Sequence, residues 1–139
     1  MMIHPEVVQI DLIADLKGTT SITSLLASAD EVKESQYQGT RWNYPALRLA
    51  IIAQTPIIGP EPCDLVRFSF AIRVYTEGGS SKSNSHLLGI VNDRYHRRIF
   101  EAPTWISVFR SAGLNNPSRA TDKLWRGEAL FEGTIYPKG

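Results

Sequence analysis

From Leu65 to Phe100 the chain passes from an alternating strand through a Gly/Ser loop into an amphipathic helix, and no other stretch constrains the fold as strongly. Val66, Phe68, Phe70, Ile72 and Val74 share one face, while Arg67, Ser69, Arg73 and Tyr75 share the other, which is the two-residue period of a half-buried sheet strand. Glu77-Gly78-Gly79-Ser80-Ser81-Lys82 ends that period. Leu87, Leu88, Val91, Tyr95 and Ile99 then recur at helical spacing, which extends the expected helix as far as Ile99. Such a helix has to cover the sheet face that the strand leaves apolar.

The flanking segments read as follows. Pro5 suits a first helical turn, and Val8, Leu12, Ile13 and Leu16 continue an apolar stripe to Gly18, so a helix is expected over about Pro5 to Lys17. A short helical piece follows through Ile22, Leu25 and Leu26, capped by Thr20 or Ser21. Val32 to Gln38 reads as a polar strand, and Pro45 to Thr55, apolar on both faces, as a strand inside a sheet. Beyond the long helix, Trp105 to Ser111 is a strand, Gly113 to Ser118 a turn-rich loop, and a final strand aligns Trp125, Gly127, Ala129, Phe131, Gly133 and Ile135. The fold class expected is α+β, a mostly antiparallel sheet of four to five strands with helices packed on one face, in the order α-β-β-β-α-β-β.

At 139 residues the chain is expected to form a single domain over 1–139, large enough to bury roughly two-thirds of its unfolded surface without a metal or disulfide. Fifteen Lys and Arg against 14 Asp and Glu leave a formal charge of +1, so no global field draws the molecule to nucleic acid or an anionic membrane. The single cysteine, Cys63, cannot form an intrachain disulfide, and the longest apolar run, Leu47 to Ala53, contains Arg48 and is too short to span a bilayer. A soluble protein made in the cytoplasm is the expectation, with no membrane partner.

Little in the chain points to catalysis. Lys82-Ser83 sits between strand and helix as in a phosphate-binding loop, but Thr76 and Ser81 stand where that loop needs its two glycines. His86 and His96 are ten residues apart, about 15 Å along a helix, too far to share a metal. Cys63 lies next to Asp64, whose charge disfavours a thiolate. No catalytic, cofactor-binding or metal residue is assigned, and no enzyme is expected. The residues that stand out are contact candidates: Trp42 and Tyr44 in a polar loop before the Pro-led strand, and Arg94, Arg97 and Arg98 in a basic cluster placed at the helix end.

The strand order, with Pro45-Ala46-Leu47-Arg48-Leu49 early, Phe68-Ser69-Phe70-Ala71-Ile72-Arg73-Val74-Tyr75-Thr76 leading into loop and helix, and the terminal segment Asp122 to Tyr136, resembles the tail terminator and tail-completion proteins of tailed bacteriophages. The resemblance covers nearly the whole chain but is carried by strand lengths and turn positions, with no invariant motif. It implies a non-enzymatic virion protein that forms a homohexameric ring on the head-proximal end of the tail tube. Such a ring stops tube growth and offers a joining surface to the head connector. The implied partners are further copies of the chain, the tail tube protein, the head–tail connector protein and DNA passing through the lumen without specific binding. No cofactor is implied. A neighbouring neck component of the same virion is the alternative, and a small enzyme a remote one.

Overall fold

The computed structural model describes residues 3–35, 43–57, 65–78, 80–121 and 123–138. Helix α1 spans Pro5–Gly18 and the single turn α2 Thr20–Thr23. A 3-10 turn at Ala29–Glu31 leads into β1, Val32–Glu34. Strands β2 (Ala46–Pro56) and β3 (Val66–Glu77) precede helix α3 (Lys82–Tyr95), and β4 (Arg98–Glu101), β5 (Trp105–Thr121) and β6 (Leu124–Pro137) complete the chain. The six strands form one sheet in the order β1-β2-β3-β6-β5-β4, with β1 parallel to β2 and every other pair antiparallel.

This sheet corrects the expected architecture. Three helices accompany a six-stranded sheet that curls through 191° into a half-barrel, in place of a flatter four- to five-stranded sheet with helices on one face. Long twisted strands are the physical source of the curl, and irregularities in register add to it. Register shifts occur on β5 between Ser111 and Gly113, Asn115 and Ser118, and Arg119 and Thr121, and on β2 between Ile51 and Ala53. Gly113 lies in the left-handed region at φ 148°, which only glycine adopts without cost.

Three local expectations also change. The long helix stops at Tyr95, and Ile99 belongs to β4, a strand that reading Ile99 as the next helical position concealed. The supposed loop Gly113 to Ser118 is strand, because Gly113, Leu114, Asn115 and Ser118 pair with β6 and a bulge takes up Asn116 and Pro117. Of the polar strand expected over Val32 to Gln38, only Val32–Glu34 pairs, and residues 36–38 lie outside the described ones.

The core between the central strands and α3 is aromatic. Phe70 of β3 meets Phe109 of β5 edge-on at 4.9 Å and stacks on Phe131 of β6 at 5.2 Å, while Tyr95 of α3 approaches Phe70 edge-to-face at 6.0 Å. Phe100 of β4 stacks on the fully buried Trp105 at 5.0 Å. Each such side chain contributes about 2 kcal/mol by burial. The Trp105 indole N–H also donates to Asp11 of α1 at 2.7 Å, tying the first helix to β5. On β2, the buried Arg48 donates through Nη1 to the carbonyls of Glu31 at 2.6 Å and Leu47 at 2.8 Å, with its Nη2 3.6 Å from the Glu31 carboxylate. That pairing answers for a charge inside an otherwise apolar run.

Helix α3 is seated by Asn84, in its first turn. The fully buried Asn84 amide nitrogen reaches the Val74 carbonyl at 2.9 Å and the Thr76 hydroxyl and Trp125 carbonyl at 3.2 Å each. Its side-chain oxygen rests over Gly127 of β6, where an added Cβ would stand 2.4 Å from it. With the amide held by two strands, the oxygen has nowhere to retreat. Gly127→Ala is therefore expected to lower stability by about 1–3 kcal/mol, read as a shift in the urea unfolding midpoint at unchanged m; an unshifted midpoint would show that the helix can lift off the sheet without cost.

Candidate assembly surfaces

The five contact candidates separate in the structure. Trp42 lies outside the described residues. Tyr44 is half-buried just before β2, and its phenol is held above its ordinary pKa first by burial and then by the charge of Glu77. Arg94 is committed within the molecule: its guanidinium grips Asp15 of α1 through Nε at 3.1 Å and through Nη2, and this hydrogen bonding to the carboxylate raises its pKa. The same carboxylate accepts the Tyr95 hydroxyl at 2.8 Å. Arg94 is thus part of a clamp between α1 and α3.

Arg97 and Arg98 remain exposed. They are not on the helix, as the basic cluster was expected to be; Arg97 is the left-handed residue after the helix cap, at φ 58°, and Arg98 opens β4. Two bonds fix this corner: the Arg97 N–H donates to the Phe109 carbonyl at 2.8 Å, and the Ser111 N–H donates to His96 Nδ1 at 2.8 Å. Chain direction reverses here without a glycine, at a position where glycine is the usual choice. The Arg98 Nε donates to the Asp93 carbonyl at 3.0 Å, which holds its stem along the helix end.

Beyond Arg98 the outer face of the sheet is apolar. Ile99 is 73% exposed and pairs directly with Val108, itself 51% exposed, and Ile106 pairs with Tyr136 on the same face. Alongside lies an open groove of about 460 Å³ lined by Arg67, Arg110, Glu132, Thr134 and Tyr136 among others, in which Arg110 is bonded to Glu132 at 2.7 Å. Sequence periodicity missed this patch because it assigned Ile99 to a buried helical stripe, and Arg98-Ile99-Phe100-Glu101, which does not alternate, gave no strand signal against it.

Open sheet edges complete the picture. The parallel partner β1 covers β2 only at Leu47, Arg48 and Leu49, with one further bond from the Ser35 N–H to the Leu49 carbonyl. From Ala50 to Pro56, β2 has no second strand among the described residues, and this stretch, Ala50-Ile51-Ile52-Ala53-Gln54-Thr55-Pro56, carries no charge. Ile52 is 52% exposed there. At the far side β4 is the last strand, and beyond its reach β5 is the edge from Arg110 to Thr121. Natural sheets usually protect edges with charge, proline or bulges, because an unprotected edge recruits another chain.

Among the described residues no three His, Cys, Asp or Glu side chains are grouped to hold a metal ion. The Lys82–Ser83 turn serves as the start of α3, with Lys82 and Ser83 both exposed, and Gly79 lies outside the described residues.

Two expected outcomes follow from this corner. Burial and the neighbouring Asp15 hold the Tyr95 phenol well above its ordinary 10.0, so the folded state keeps a proton that the unfolded state releases. Its contribution is whole below about pH 10 and falls as pH rises beyond that; stability measured by urea titration should decline more steeply there in the native chain than in Tyr95→Phe. Equal slopes would mean that Tyr95 ionises in the folded protein as freely as in the unfolded one. Arg97→Gly removes the left-handed penalty and should stabilise the fold by about 1 kcal/mol; a loss of stability would show that the arginine side chain matters to the corner itself.

Searches with protein-family models and among curated proteins give no match for this chain.

Proposed function

We propose that the chain is a structural protein of a tailed-bacteriophage virion that assembles as a ring on the head-proximal end of the tail tube, ends tube growth and presents a joining surface to the head connector. The observation that carries the reading is the pair of sheet edges left incompletely covered among the described residues, β2 on one side and β4 with β5 on the other. A closed ring of identical copies needs two different surfaces on each copy, each meeting its complement on the next, and a sheet open at both sides supplies two such surfaces. The resemblance of the strand–loop–helix unit and of the terminal strand to tail terminator proteins directs this general capacity to the tail. The +1 formal charge adds to it, since copies approach without strong self-repulsion.

On this reading the partners are further copies, the tail tube protein and the head–tail connector, and the working location is the virion. Electron microscopy of the purified protein, alone and mixed with tail tubes, should show rings seated at one end of each tube. Rings that ignore tubes but bind the connector would move the protein to the neck, and particles that bind neither would sink the virion assignment.

A further inference from the structure

Two faces of the molecule complement each other. On the outer face of the sheet, register sets Arg67 of β3 opposite Thr134 of β6, Ile99 of β4 opposite Val108 of β5, and Glu101 level with Ile106 and Tyr136. The groove of about 460 Å³ crosses these strands, from Arg67 past Thr134 and Tyr136 to Val108. Arg67 is exposed and has no ion-pair partner among the described residues. On the β4 side Ile99 continues the apolar surface, and exposed Glu101 holds Lys138 at 3.1 Å. From β3 to β4 the face is thus basic, then apolar, then acidic.

Helix α1 carries the reverse order. It buries Val8, Leu12 and Leu16, and on its other side Glu6, Ile10, Ala14 and Lys17 form an exposed stripe. Ile10, 64% exposed, is the one large apolar residue on a described helix that is left open to this degree. The spacing agrees: a helical rise sets Lys17 about 16 Å beyond Glu6, and three strand separations with a two-residue offset set Glu101 roughly 16 Å from Arg67 along the sheet. Ile10 and Ala14 then fall about 6 and 12 Å along, near the β6 and β5 positions of Tyr136 and Val108. Asp11 of α1 is bonded to Trp105, which faces the core, whereas Val108 faces the other way along the same strand, so stripe and groove look out from opposite sides of the sheet. One copy can therefore offer its helix and receive another's at once.

We infer that copies of this chain associate head to tail by a helix-in-groove contact, the α1 stripe of one copy lying in the outer sheet groove of the next, with Glu6 against Arg67, Ile10 against Tyr136 and Val108, and Lys17 beside Glu101. The inference rests on the reading that copies build a ring and names a contact that would join them. Helix-in-groove recognition takes its affinity from apolar anchors one turn apart and its direction from the charges at either end. A contact between two different faces repeats from copy to copy, as a ring requires.

Charge reversal at two exposed positions tests it. In sedimentation at millimolar concentration the native chain should form assemblies larger than a monomer, and Glu6→Arg and Arg67→Glu should each lose roughly tenfold or more in association because like charges then meet. The chain carrying both changes should recover most of that loss, and circular dichroism should report an unchanged fold for all three. Ile10→Asp and Val108→Asp should each weaken association as much, and a mixture of those two should form complexes of two copies and no larger, because the first keeps its groove and the second its helix. A native chain that stays monomeric, a double variant no better than the single ones, or a mixture that stays monomeric would each overturn the inference; so would a groove that binds tail tubes through Val108 while copies ignore one another. Tube capping separates the two readings. Rings that cap tubes equally well with every variant would refute the helix-in-groove contact and keep the proposed function, whereas recovery in the double variant with no capping by the native protein would keep the contact and refute the tail assignment.

Discussion

Everything in this molecule hangs on the pairing of β3 with β6, which runs without a break from Val66 opposite Ile135 to Glu77 opposite Leu124. These are the two central strands, and each alternates so that one face is apolar along nearly its whole length. Their joint twist sets the curl of the sheet, and the aromatic rings of Phe70 and Phe131 stack across the pair where that curl must be filled. Helix α3 can approach only because Gly127 leaves room for Asn84, and β5 can approach only because Gly133 leaves room for Phe109 and Ser107, atoms of which would lie 2.9 to 3.0 Å from an added Cβ. The two glycines thus decide how near the neighbours come, and the strand pair decides where they lie.

Several polar bonds inside the structure fasten helices in place: Asn84 ties α3 to the central pair, and α1 is tied in turn to β5 and α3. Asp11 receives the Trp105 indole, and Asp15 receives Arg94 and Tyr95, so successive turns of α1 are fastened to β5 and to α3. A carboxylate with a guanidinium and a phenol on it loses less on burial than a bare one, because its hydration is replaced by directed donors. This division of labour removes Arg94 from the list of residues free to meet a partner and leaves Arg97 and Arg98.

Much of this was legible in the sequence and some was not, for identifiable reasons. The period of two from Val66 to Val74 located β3 and its buried face, and Pro5 with the spacing of Val8, Leu12 and Leu16 located α1. Ile99 misled because helical spacing continues from Tyr95 by coincidence, while the chain has already turned at Arg97, a residue type that seldom takes a left-handed conformation. Gly113 to Ser118 misled because its composition is that of a turn, yet pairing with β6 outweighs local preference when bulges take up the misfit. Curl is a property of the assembled sheet and has no signature in any one strand. Among the contact candidates, charge alone did not distinguish Arg94, which is spent on Asp15, from Arg97 and Arg98.

The two open edges of the sheet differ in how their sequence treats a further strand. Where β5 has no outer neighbour, the chain breaks its ladder with repeated register shifts and a proline, the devices by which sheets refuse further strands. Where β2 has no outer neighbour among the described residues, the chain supplies Ala50-Ile51-Ile52-Ala53-Gln54-Thr55, uncharged and with a single bulge, a sequence that an isolated monomer would be expected to interrupt with a lysine or glutamate. One polypeptide thus protects one edge and leaves another bare. Selection against indiscriminate aggregation would act on both alike, and the difference between them is what the proposed assembly would use.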